Sequence, residues 1–398
     1  MIINRIVVSI SSLVLHIFLI SSTFLVYNTA EAEPNNIAIY WGQNNNEGTL
    51  TQTCATENYS YVIIAFMNKF GNGTTPEINL ADHCDPYSND CVMLRTDIKN
   101  CQAKGIKVLL SIGGADGEYG LVSTDDAKNV SDYLWNKFLG GNSSLRPFGD
   151  AILDGIDFDI EKSLKGKQQH WDELAIFLKS YRNSTQHVYL SAAPQCPFPN
   201  GDLGAALDMG VFDYVWIQFY NNPECEYNQN DVNRLLDSWK RWTESLTVGK
   251  LFLGLPGSPA AADNGYIPVD LLCEIVLPVV AMSRNYGGVM LWATYYDKQS
   301  GYSSYIKSSL CTQQKPPQCR RKENKWWIWI IIGVGVALAI SVIFCLGCTL
   351  RKKKKTQVDG KMNQENVLHE IGGNVVLSDK AKSVEIEDRR TLSDLVKE

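Results

Sequence analysis

Three carboxylates stand at alternate positions in the run Asp154-Gly155-Ile156-Asp157-Phe158-Asp159-Ile160-Glu161. Successive side chains of a strand point to opposite faces, so Asp157, Asp159 and Glu161 share one face and Ile156, Phe158 and Ile160 the other. Neighbours on one face are roughly 6.5–7 Å apart. Carboxylates buried that close cannot all ionise comfortably, and a shared proton raises at least one pKa. A carboxyl kept protonated near neutral pH is a general acid, and an ionised neighbour can stabilise a developing cation. An exposed acidic strand, or an ion-paired core, is the inert alternative. No matching set of basic residues stands within the run, so acid catalysis is the stronger reading.

Such a strand needs a frame that buries its apolar face and opens its acidic end. Eight strand candidates recur at 37–42, 61–70, 108–114, 152–161, 188–195, 214–220, 251–257 and 289–295. Their starts lie 24 to 47 residues apart, room for a crossover each time. After Asp125-Asp126, apolar residues at Ala127, Val130, Leu134 and Phe138 follow the helix period until Gly140-Gly141 stops it. Trp171, Leu174, Leu178 and Tyr181 line one face of another helix. The expected fold class is α/β, a (β/α)8 or TIM barrel, with its chemistry at the C-terminal strand ends. A doubly wound open sheet is the alternative from periodicity, but no GxGxxG or P-loop sequence supports it.

The 398 residues are 45% hydrophobic and 20% charged, which excludes a disordered chain. A net charge of −6 is no footprint for nucleic acid, and five scattered His make no metal-ligand pattern. No metal and no cofactor is expected. Residues 1–32 read as a secretory signal peptide, with Arg5, an apolar run and Ala30-Glu31-Ala32 as a small-x-small cleavage site. From Trp326 to Leu350 run 25 residues without a charge, more than the roughly 20 that span a bilayer. Trp326, Trp327 and Trp329 mark one edge, and Arg351 with Lys352 to Lys355 the other.

The expected organisation is therefore signal peptide 1–32, outer domain 33–308, stalk 309–325, transmembrane helix 326–350 and a short cytoplasmic tail 351–398. This places the protein in the plasma membrane, single-pass, with its N-terminal domain outside. Sequons at Asn58, Asn72, Asn129, Asn142 and Asn183 all precede the span, as do nine of the 11 Cys. Cys345 and Cys348 lie at its inner edge, where palmitoylation and plain packing are both open.

The chain resembles the plant class III chitinases, the hevamine type of glycoside hydrolase family 18, across 36–308. The resemblance rests on Ile37-Ala38-Ile39-Tyr40-Trp41-Gly42-Gln43, Ala65-Phe66-Met67-Asn68-Lys69-Phe70, Ser111-Ile112-Gly113-Gly114, the Asp154–Glu161 run, Ala192-Ala193-Pro194-Gln195-Cys196-Pro197, Trp216-Ile217-Gln218-Phe219-Tyr220-Asn221-Asn222 and Gly288-Val289-Met290-Leu291-Trp292. It implies substrate-assisted retaining hydrolysis of chitin or chitooligosaccharides, an exception to the two-carboxylate scheme. Glu161 would be the general acid, and Asp159 would orient the substrate acetamide. Asp157 would share a proton with Asp159, and Tyr220 would hydrogen-bond the acetamide oxygen. Trp292 matches the sugar-stacking floor; Tyr40, Gln43, Asn79, Gln218 and Ala261 match oligosaccharide contacts. The resemblance also implies disulfides Cys54–Cys101, Cys84–Cys91 and Cys196–Cys225. A Cys311–Cys319 loop would then leave Cys273 free, and the odd count allows a link to a second chain.

Three departures lie near the expected cleft. Ala115-Asp116 stands where the family continues with Gly and an apolar residue, Lys162 to Gln169 form a longer and more basic loop, and Ala293-Thr294 replaces a common Ser-Lys pair. The membrane span is a fourth departure. An active tethered endochitinase, a chitin-oligosaccharide receptor and a protein-binding inhibitor are the competing readings. The complete set Asp157, Asp159, Glu161 and Tyr220 favours the enzyme.

Overall fold

The computed structural model describes residues 36–162, 169–181 and 187–308. The expected signal peptide, stalk, membrane span and tail lie outside the described residues, as do Asn183, Cys311 and Cys319. Among the described residues no helix is long and apolar enough to cross a membrane.

Eight parallel strands close on themselves: β1 Asn36–Trp41, β2 Tyr61–Gly71, β3 Lys107–Gly113, β4 Gly155–Asp159, β5 Tyr189–Ala192, β6 Tyr214–Gln218, β7 Lys250–Pro256 and β8 Tyr286–Trp292. Strand β1 completes the circle by pairing with both β8 (Ile37 opposite Val289) and β2 (Tyr40 opposite Ile63). Closure removes every barrel edge and excludes the open doubly wound sheet. An extra strand, Thr74–Ile78, folds back antiparallel on the C-terminal part of β2, so the β2 hairpin rises above the rim.

Strand alternation divides the apolar residues into two sets. Outward-facing Ile37, Ile39, Val62, Ile64, Val108, Leu110, Ile156 and Phe158 join the layer between the strands and the helices, all fully buried. Inside the barrel, Ala38, Tyr40, Ile63, Tyr214, Trp216, Phe252 and Met290 form a separate cluster. Its lower part is an aromatic plug: Trp216 packs edge-on to Phe252 at 4.8 Å and stacks on Tyr214 at 5.5 Å. The interior is thus filled, as in barrels of this size, leaving only its upper end for a polar site.

The helices form where the apolar period and the caps coincide. Thr124–Phe138 starts at Ser123, whose hydroxyl accepts from the Asp126 N–H, and buries Ala127, Val130, Leu134 and Phe138. Trp171–Ser180 buries Trp171, Leu174, Ala175 and Leu178. Cys54–Cys101 ties Leu50–Ala55 to Leu94–Ala103, and Cys84–Cys91 closes a short loop. Cys196–Cys225 joins the segments following β5 and β6. Cys273 is itself disulfide-bonded, with its partner outside the described residues. The expectation of a free Cys273 is therefore wrong. Spacing along the sequence cannot say which Cys of an odd set is left over, because pairing follows Cα separation in the fold.

Candidate active site

Strand β4 carries the carboxylates upward through the barrel. Asp154, at its foot, accepts from the Val108 N–H and the Gln102 amide, both at 2.9 Å, and so splices β3 to β4 away from the chemistry. Asp157 faces Ser111 of β3 and Ser191 of β5 in the sheet register. Asp159 ends the strand, and Glu161 lies two residues beyond it at the rim. The strand is shorter than the expected 152–161 because the backbone leaves the ladder where the cleft opens.

Position 113 shows why the adjoining strand ends in glycine. Gly113 has φ +111°, and a Cβ there would stand 2.2 Å from the Asp159 carbonyl oxygen. The next amide, Gly114 N–H, donates to that same oxygen at 2.7 Å. Backbone contact at this distance fixes the height of Asp159 in the barrel.

Asp157 is fully buried and receives four donors. Ser191 Oγ (2.6 Å) and Trp216 Nε1 (2.7 Å) donate to Oδ1; Tyr40 OH (2.8 Å) and Ser111 Oγ (2.7 Å) donate to Oδ2. Burial raises its pKa, and all four hydrogen bonds oppose that rise. Both Asp157 oxygens are occupied by these donors, and no hydrogen bond between Asp157 and Asp159 is seen among the described residues. Asp159 instead hydrogen-bonds Glu161, and Gln218 Nε2 donates to Asp159 Oδ1 at 2.9 Å. The arrangement differs from the one the resemblance implies in its hydrogen-bond partners: Asp157 has four donors from other strands, and Asp159 meets Glu161.

Burial, then the charges of Glu161 and Asp157, hold the Asp159 carboxyl well above the usual range. Burial also raises Glu161; the hydrogen bond from Asp159 and the nearby Lys162 oppose it, while Asp116 and Asp202 add to it. One proton between two carboxyls is the arrangement a buried acid pair adopts. Tyr220 is buried beside them and its phenol is raised well above its ordinary value, first by burial and then by Asp159 and Glu161. It is a proton-bearing donor at any working pH.

These groups open into a cavity of about 450 Å³. Asp159, Glu161 and Tyr220 line it together with Tyr40, Gln43, Asn79, Gln218, Ala261 and Trp292. Asp157 lies beneath, outside the lining. Trp292 forms the floor with two other rings, Tyr40 at 5.5 Å and Phe66 at 6.0 Å. Gln43 donates to the backbone oxygens of Ala65 and Asn79, so it braces the β1 and β2 loops as well as facing the cavity. Non-proline cis peptides join Ala65 to Phe66 and Trp292 to Ala293. A larger cavity, about 900 Å³, lies at the barrel's other end beside Lys240, Glu244 and Arg284, away from the strand-end carboxylates.

Sequence reasoning missed Phe66, Asn68, Gln195 and Asn221 among the lining residues, although all four stand inside quoted motifs. It also missed Tyr119. The Tyr119 hydroxyl accepts from the Glu161 N–H at 3.1 Å and donates to the Gly114 carbonyl at 2.8 Å. Its ring is stacked on Phe70 at 5.4 Å, so a rigid phenol pins the backbone of the acid. Nothing in the local sequence marks this residue.

Of the sequons, Asn72, Asn129 and Asn142 are exposed. Asn58 is half-buried, and its Nδ2 donates to the Ser303 and Ser304 hydroxyls at 3.0 Å each.

A closed (β/α)8 barrel whose acidic strand end underlies an aromatic-floored cleft defines a carbohydrate hydrolase of the barrel class. The family model for glycosyl hydrolases family 18 matches residues 36–262, and the chain belongs to that family. It is 61% identical over 277 residues to an acidic endochitinase of Vitis vinifera, covering 69% of this chain and 91% of the relative. It is also similar to the crystal structure of ICChI chitinase from Ipomoea carnea, with TM-score 0.65 and 49% identity, covering 68% of this chain and 98% of that one. The xylanase and alpha-amylase inhibitor protein XAIP-II from Scadoxus multiflorus shares the fold too, with TM-score 0.64 and 43% identity over 68% and 97% of the two chains. Fold alone therefore does not separate hydrolase from inhibitor.

Proposed function

We propose that the protein is a membrane-tethered endochitinase that hydrolyses β-1,4-linked N-acetylglucosamine polymers or oligomers with retention. The observation that supports this most is the hydrogen-bonded Asp159–Glu161 pair, facing the same cavity as Tyr220 and Trp292. The endochitinases among its relatives support the substrate class.

In this reading a sugar stacks on Trp292 with its acetamide directed at Asp159 and Tyr220. The acetamide N–H is a donor, so it favours ionised Asp159 and moves the shared proton onto Glu161. Glu161 then protonates the glycosidic oxygen as the leaving sugar departs. The acetamide carbonyl oxygen attacks the anomeric carbon and closes an oxazolinium ion. The Asp159 carboxylate faces the developing positive charge, while Tyr220 donates to the acetamide oxygen. Glu161, now ionised, takes a proton from the incoming water, and ring opening restores the acetamide with net retention. Asp157 holds the charge balance beneath Asp159 without touching substrate.

The tether rests on the uncharged stretch 326–350 and on residues 1–32 as a signal peptide. Sedimentation with membranes that survives carbonate washing is the expected behaviour; release by the wash would remove the tether. Oligosaccharide binding without turnover gains no support from the site, since the acid, both aspartates and Tyr220 are present.

The test is the full-length chain on chitin hexasaccharide beside Glu161→Gln, with products resolved by mass and anomeric form. β-Anomeric products that vanish in the variant are expected. Tight binding by a folded wild type with no turnover would overturn the enzyme reading.

A further inference from the structure

The cavity above Glu161 is lined by three carboxylates, Asp116, Asp159 and Glu161, and by no Lys or Arg among the described residues. Asp159 and Glu161 are hydrogen-bonded to each other, but Asp116 is exposed on the loop after β3 and has no ion-pair partner among the described residues. Its charge reaches the acid, since it contributes to the raised pKa of Glu161. The acidic character continues past Asn68 and Asn79 into an adjoining cavity of about 490 Å³ that holds Glu77, Asp82, Asp85 and Asp90. The one cation there, Lys69, is already paired with Glu77 at 2.7 Å. Tyr220, 7% exposed as a residue, also lines the first cavity, and nothing cationic among the described lining residues offsets these carboxylates.

A polymer of N-acetylglucosamine is uncharged, so beyond its effect on Glu161 this field adds no attraction for a fully acetylated chain. Loss of an acetyl group leaves a 2-amino sugar whose ammonium is a cation in mildly acidic solution. Such a sugar cannot be the one whose acetamide attacks, because it has no carbonyl to offer. Elsewhere along the cleft its charge would meet Asp116. We infer that Asp116 makes the cleft selective for partially de-N-acetylated chitin, binding an ammonium-bearing sugar at a position other than the one whose acetamide reacts. This rests on the chitinase reading and names the substrate class of the same site.

An ammonium several ångströms from an exposed carboxylate gains enough to change affinity about three- to tenfold at low salt, and far less once salt screens it. The experiment compares kcat/KM of the full-length chain on fully acetylated hexasaccharide and on hexamers with about half their sugars de-N-acetylated, at mildly acidic pH. The readout is the ratio of the two substrates, taken for wild type, Asp116→Asn and Asp116→Glu. The expected result is a ratio that falls about three- to tenfold in Asp116→Asn, is retained in Asp116→Glu, and collapses for wild type in concentrated salt. A ratio unchanged by Asp116→Asn overturns the proposal. Calorimetric binding of the same two oligomers reads the same ratio without turnover. An inactive wild type that still prefers the cationic oligomer through Asp116 would therefore sink the enzyme reading and keep this one. Equal binding of both by all three proteins would sink this one alone.

Discussion

The indole Nε1 of Trp216 donates to Oδ1 of Asp157 at 2.7 Å, across the barrel interior from β6 to β4. It is the one nitrogen donor among four and, unlike a hydroxyl, cannot rotate away or reverse its role. The same ring stacks on Tyr214 and meets Phe252, so the aromatic plug that fills the lower barrel also fixes the lowest carboxylate of the site. Packing and electrostatics meet in this one side chain.

Trp216→Phe should destabilise the protein by about 2–3 kcal/mol at neutral pH, from a lost charge-assisted hydrogen bond and a small void. The sign of its pH dependence follows from Asp157. Burial already raises that carboxyl, and losing a donor raises it further. A raised folded pKa costs stability as pH climbs above the unfolded value. The loss should therefore be larger at pH 7 than at pH 4 in urea unfolding. Equal losses at both would mean that the indole serves packing alone.

Asp159→Asn should abolish most activity and yet raise the melting temperature. Asp159 is held well above its ordinary pKa by burial and two like charges, so ionising it is disfavoured in the folded state. Above the unfolded pKa of about 3.9, that mismatch subtracts from stability. A neutral amide removes it and can still donate to Glu161. A gain of about 2–4 °C at pH 7, shrinking towards pH 4, is the expected scan. A lower melting temperature at pH 7 would contradict the assigned protonation.

Tyr119→Phe removes the hydroxyl between the Glu161 N–H and the Gly114 carbonyl while keeping the ring against Phe70. The acid's backbone loses its anchor, but no sugar contact changes. Steady-state kinetics should show kcat down about tenfold with KM within twofold, since a misplaced acid harms the transition state rather than binding. A rise in KM alone would place Tyr119 in substrate binding.

Lys162→Ala should move the alkaline limb of kcat/KM upward. The Lys162 ammonium lowers the Glu161 pKa, so removing it lets the acid keep its proton to higher pH. The side chain is exposed, so the displacement should stay under about one pH unit and shrink in salt. A limb that stays in place, or moves down, would show that a different group governs it.

Much of this site could be read along one strand. The alternation through Asp157, Asp159 and Glu161 is local, because a two-residue period needs no tertiary information to assign a face. The apolar runs of the other strands and the helix from 124 to 138 were legible for the same reason. Partners that cross the barrel were not. Which carboxyl shares a proton with Asp159 depends on donors from β1, β3, β5 and β6, brought to Asp157 only by closure. Tyr119 was silent because its role comes from standing between two strand ends. Cys273 was misjudged because its pairing depends on distance through space.

The order of elements, the acidic face and the set of acid-bearing positions were thus determined by residue type and period alone, while the floor role of Trp292 was legible only through the resemblance. The protonation of each carboxyl, the anchor on Glu161 and the uncompensated charge of Asp116 were decided by tertiary structure. The reason is physical: alternation is set within a single strand, whereas burial and Coulomb energy depend on every group that folding brings within a few ångströms.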